Sequence, residues 1–126
     1  MFTDTTIYHS LTIQLETFMP YYKNMDKDYK MTVGRHIVEC ICDGIMFMSD
    51  SYLSKDNETK LVLAQSALKR ISQAEIFTKA LFDLKVFSQK QIVQVSYNFG
   101  QIKAQLYRWM ESLNSKNRTD GVKALL

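Results

Sequence analysis

Between residues 92 and 113 the apolar side chains Ile92, Val95, Phe99, Ile102, Leu106, Trp109 and Leu113 follow one another at steps of 3, 4, 3, 4, 3 and 4. That spacing keeps them on one stripe of an α-helix over six turns and is incompatible with a strand, whose side chains alternate every second residue. A helix of this length with a single apolar stripe must bury that stripe against other helices. The rest of the chain has therefore to supply them.

It does so three more times. Ala64, Ala67, Ile71, Ala74, Thr78 and Leu81 step 3, 4, 3, 4, 3, with Leu61, Leu68 and Phe82 widening the face. The alanines in this seam let a neighbouring helix approach closely. Val33, Ile37, Ile41, Gly44, Met48 and Tyr52 form a second-helix stripe, and Ile7, Leu11, Leu15 and Phe18 form a first. Capping residues fall where these stripes begin: Asp4 or Thr5, Asp26 or Asp28, Asp56 or Asn57, and Ser88 with Gln91, which has the spacing of a capping box. Pro20 is expected to end the first helix after Met19. Four Gly and one Pro are too few for the frequent turns of an all-β domain of 126 residues. The predicted fold is all-α: an up-and-down four-helix bundle over residues 1–114, followed by a polar, basic tail over 115–126 that is expected to be loosely ordered.

The chemistry open to such a chain is narrow. Di-iron bundles need Glu-x-x-His pairs, and helical zinc sites need His pairs four apart; His9 and His36 provide neither. His36 and Glu39 are read as a polar surface pair. Cys40 and Cys42 point to different sides of a helix, so neither a shared disulfide nor a shared metal is expected. There is no Gly-rich phosphate loop and no nucleophile elbow. A non-enzymatic protein without cofactor or metal is the expectation. No apolar run approaches the roughly 20 residues of a membrane span, and the start lacks the pattern of a secretory signal, so a cytoplasmic protein that does not enter membranes is expected.

Charge and aromatic content point to partners instead. Residues 1–84 carry 9 basic and 11 acidic side chains, whereas residues 85–126 carry 7 and 2. Lys69, Arg70, Lys79, Lys90, Lys103 and Arg108, with Tyr97 and Tyr107 beside them, are of the kinds that hold phosphates and stack on bases. They equally fit a solvated outer face. Seven Met and fifteen Phe, Tyr and Trp residues exceed what one small bundle must bury. Phe47, Tyr52, Phe77, Phe87, Tyr97 and Tyr107 fall partly off the seams, which argues for self-association.

The segments Gly34-Arg35-His36-Ile37-Val38-Glu39 and Lys79-Ala80-Leu81-Phe82-Asp83-Leu84-Lys85-Val86-Phe87-Ser88-Gln89-Lys90-Gln91, together with Ile102, Leu106 and Trp109, resemble one family over roughly residues 5–113. It is the four-helix-bundle family of the accessory variability determinant of diversity-generating retroelements and of proteins encoded in ribosomal RNA intervening sequences. The resemblance implies a homopentameric barrel and, for the retroelement member, binding of a reverse transcriptase and of RNA or DNA through a positive surface. Arg35 falls on the family's basic position in helix two, Lys79 where the family commonly has Arg, and Trp109 on the family Trp. Lys103 stands where the family usually has Gly, and Tyr107 and Arg108 where it has small residues. The nucleic-acid and partner-binding residues expected on this basis and from the charge pattern are Arg35, Lys79, Lys103, Arg108, Lys116 and Arg118. A bundle of the intervening-sequence type, or a helical scaffold that binds only protein, is the alternative.

Overall fold

A computed structural model of the chain describes the backbone of residues 1–125 and the side chains of residues 1–116. Helix α1 spans Thr6–Lys23 behind a short 3-10 turn at Phe2–Asp4. Helix α2 covers residues 27–53: a first turn at Lys27–Tyr29, a π-helical turn at Lys30–Gly34 and a regular stretch at Arg35–Leu53. Helix α3 spans Asn57–Asp83 and α4 spans Gln89–Leu125. No strand occurs among the described residues.

Each helix packs against its two neighbours in a ring α1, α2, α3, α4 and back to α1. Cross-helix bonds fix the antiparallel sense: Ser51 of α2 meets Lys60 of α3 while Asp43 meets Arg70, and Ser10 of α1 meets Gln105 of α4 while Thr17 meets Asn98. The chain is thus an all-α, up-and-down four-helix bundle.

The caps work as side-chain chemistry dictates. Thr5 Oγ1 accepts from Tyr8 N–H at 3.3 Å, and Asp56 accepts from Thr59 N–H at 3.0 Å. Gln91 N–H donates to Ser88 Oγ at 3.2 Å while Ser88 N–H donates to Gln91 Oε1 at 2.8 Å, closing the capping box. All six α3 seam residues are buried, as are Ile92, Val95, Phe99, Ile102, Leu106 and Leu113 of α4. Trp109 is only partly buried, and its Nε1–H donates to Ser51 Oγ at 3.0 Å.

Several expectations need correction. Pro20 does not stop α1, which runs on to Lys23. Its missing N–H costs one bond near the helix end, while the extra turn carries Tyr21 onto Phe87 and Tyr22 onto Phe18, with ring centroids 5.6 and 6.5 Å apart. Helix α4 continues unbroken across the boundary expected at residue 114. Phe87 is buried between Phe18 and Tyr21, so it belongs to the core and not to an outer face. Tyr52, placed in the α2 seam, is 40% exposed. Glu39 pairs with Arg35, while the His36 ring meets the edge of Phe77 at 4.9 Å and Cys40 Sγ at 3.5 Å.

The core also holds a polar clamp that the stripes do not reveal. Gln14 is fully buried; its Nε2–H donates to Val95 O at 2.8 Å, and its Oε1 accepts from Asn98 Nδ2–H at 3.0 Å. Because each buried amide is satisfied only when α1 and α4 are in this register, the pair fixes their relative slide. On the α2 side, Gly44 lies under Ile71: a Cβ there would stand 2.9 Å from Ile71 Cδ1. A side chain here would have to displace the Ile71 side chain, so the tight contact of α2 on α3 favours glycine at this position.

Candidate functional site

The expected binding residues do not gather into one patch. Arg35, near the start of the regular part of α2, gives its Nε–H to Glu39 at 3.2 Å. Lys79 pairs with Asp83, and its ammonium also lies 5.2 Å from the centre of the Phe82 ring. These two residues share the end of the bundle where His36 meets Phe77. Lys103 bridges α4 to α3 through Glu75 at 2.7 Å, with both side chains about two-thirds covered. Arg108 lies toward the opposite end and makes no ion pair among the described residues; Lys116, exposed, is the last side chain described there, and Arg118 lies outside the described side chains.

Three of these cations therefore already have carboxylate partners. A guanidinium or ammonium held by a carboxylate attracts a phosphate less than a free one does, because the pair's field is nearly dipolar. A different set of cations stands at the loop end. The α1–α2 and α3–α4 loops meet around a polar hollow of about 410 Å³ whose walls include Tyr21, Tyr29, Lys85 and Gln91. Lys23, Lys27, Lys30, Lys85 and Lys90 surround this end without ion pairs among the described residues, with Asp26 and Asp28 interspersed. Of these lysines only Lys90 stands out in the sequence, because the others are spread over the end of α1, the start of α2 and the α3–α4 loop, which only the fold brings together. Lys85 has φ 64°, the left-handed C′ position of a helix-ending turn in which Lys85 N–H donates to Phe82 O and Val86 N–H to Leu81 O.

The second feature is the outer face of α4. Val93, Tyr97, Gly100, Ala104 and Tyr107 step 4, 3, 4, 3 along it, and all are exposed. Val93, Tyr97 and Tyr107 are 57%, 65% and 55% exposed. At their centre, a Cβ on Gly100 would meet no atom within 4 Å. A mid-helix glycine costs about 1 kcal/mol relative to alanine, and no contact among the described residues offsets that cost here. Of the off-seam aromatics expected on outer faces, Tyr97 and Tyr107 lie on this stripe, Phe77 and Tyr52 are exposed elsewhere, and Phe47 is half-buried.

Among the described residues no three His, Cys, Asp or Glu side chains group as a metal site would need. Cys40 is buried and Cys42 exposed, both as free thiols, and burial pushes the Cys40 thiol up from its ordinary value, keeping it protonated. No described helix is long and apolar enough to cross a membrane. Fold and surfaces define the class, a four-helix bundle with an apolar outer helix face. The chain matches no protein-family model, no curated protein and no solved structure.

Proposed function

We propose that the chain is a non-enzymatic, self-associating four-helix bundle that serves as an accessory protein of a diversity-generating retroelement, binding its reverse transcriptase and nucleic acid from the cytoplasm. The observation that carries the self-association is the outer stripe of α4, where exposed Val93, Tyr97 and Tyr107 flank a glycine with no neighbour of its own. Small residues between larger apolar ones let two helices approach closely, and a second copy of the chain offers the same stripe. The family resemblance implies five copies, with a reverse transcriptase and nucleic acid as partners.

The phosphate contacts of this reading fall to Arg108 and Lys116 at one end and to the loop-end lysines, Lys85 and Lys90 among them, at the other; Arg118, expected with the first group, lies outside the described side chains. Arg35, Lys79 and Lys103 contribute only by exchanging their carboxylates for phosphates. An oligomer repeats each weak contact several times, which raises avidity without a dense basic patch. The test is fluorescence anisotropy of a labelled single-stranded RNA titrated with the protein at rising salt. Affinity should fall steeply and linearly on logarithmic axes as counterions are released. A flat response, or no binding at low salt, overturns the nucleic-acid part. The pairing of Arg35, Lys79 and Lys103 with acidic neighbours favours a second reading, a self-associating scaffold that binds only protein, which predicts that same null result.

A further inference from the structure

A pocket of about 390 Å³ opens at the end of the bundle where α1 begins, and its chemistry differs from that of every surface above. Ile7, Tyr52 and Trp109 are among the side chains of its largely apolar wall, and Phe2 lines it too, held edge-on to Tyr8 with ring centroids 5.5 Å apart. Its size and its mix of apolar walls with few polar groups are those of small-molecule sites.

Two polar features converge on it, and a third lies buried behind its wall. Arg108 lines the rim, and neither Glu111, one turn further along α4, nor any other described carboxylate pairs with it. Thr6 and Ile7, the first residues of α1, also line the pocket. Thr5 takes up the Tyr8 and His9 amides, so those of Thr6 and Ile7 have no partner among the described residues and leave the positive end of the helix dipole open. Gln105 also lines the pocket; one end of its amide meets Ser10 Oγ at 2.8 Å, and the other end is buried without a partner. A buried, unsatisfied amide is costly in a chain that otherwise pairs its buried polar groups.

We propose that this pocket binds a small monocarboxylate with an apolar body, the carboxylate held by Arg108 beside the first turn of α1 and the body packed on Trp109, Tyr52 and Ile7. An apolar wall without an anion-holding rim would take any greasy molecule, and an anion site without the wall would take inorganic ions. The two together select an amphiphilic acid.

The chain's single Trp makes the test direct. Titrating the intact protein with octanoate should change Trp109 fluorescence saturably, whereas octanol and octylammonium should bind about tenfold more weakly or not at all, as expected for loss of a charge-assisted hydrogen bond. Arg108→Gln, at an exposed position and therefore expected to fold normally by circular dichroism, should weaken octanoate to the level of octanol. Equal binding of octanol and octanoate, or no effect of Arg108→Gln, overturns the proposal, as does the absence of saturation. A fall in solution mass in step with the fluorescence change would assign the pocket to a neighbouring copy and overturn it as well. None of these outcomes depends on whether the protein binds RNA.

Discussion

The inward and outward faces of α4 carry apolar residues in the same 3-4 rhythm, yet they have opposite fates. Inward, Val95, Phe99, Ile102 and Leu106 are completely covered by the other three helices, and each earns its place within one chain. Outward, Val93, Tyr97 and Tyr107 are more than half exposed around a glycine whose added Cβ would meet no described atom outside its own helix. Folding explains the first stripe in full and the second not at all. An apolar pattern on a second helix face leaves surface for a further neighbour, which the proposed self-association assigns to another copy of the chain.

The comparison can be broken first where the effect should be largest. Leu106→Ala removes a fully buried side chain and is expected to lower unfolding free energy by about 2–5 kcal/mol in denaturant titrations. A loss no greater than that of an outward substitution such as Val93→Ala would mean that the two faces have been confused. The glycines sharpen the contrast. Gly44→Ala drives a methyl into Ile71 and should cost about 1–3 kcal/mol. Gly100→Ala meets no atom within 4 Å among the described residues outside its own helix and should raise stability by about 1 kcal/mol when the protein is dilute enough to be dissociated.

Smaller effects test the ends of the helices. Lys85 occupies a left-handed position that costs an L-residue about 1 kcal/mol, so Lys85→Gly should stabilise the fold by about that amount. At the start of α3, the bonds from Thr59 to Asp56 hold that carboxyl below its usual range. A depressed carboxylate adds stability above its unfolded pKa and loses it as pH falls through the folded one. The melting-temperature gap between the protein and Asp56→Ala should therefore be constant near neutrality and close in acid. A gap that widens in acid would contradict the assigned cap.

Much of this contrast is visible in the sequence, because periodicity is local. The α3 seam and six of the seven α4 positions lie buried where the spacing puts them, and Thr5, Asp56 and Ser88 cap as their side chains suggest. What the sequence hides depends on distant partners. Gln14 looks like a surface residue until Asn98 and the Val95 carbonyl stand opposite it. Lys103 looks like a free cation until Glu75 arrives from another helix, and Arg70 until Asp43 does. Pro20 looks like a stop because its cost is local, whereas the packing of Tyr21 and Tyr22 that offsets it is not. The candidate site suffered more than the fold for this reason: charges are recognisable one by one, but their neutralisation is a property of the assembled bundle.

The most direct test of the central claim, that the outer face of α4 joins copies of the chain, is the absolute solution mass by light scattering after gel filtration. Protein and a Gly100→Lys variant should be run side by side at low and high salt. The account predicts a salt-resistant multiple of 14.7 kDa for the protein, five-fold if the family resemblance holds, and a folded species of about 14.7 kDa for the variant. A monomeric protein, or a variant whose mass equals that of the unaltered chain, would contradict it.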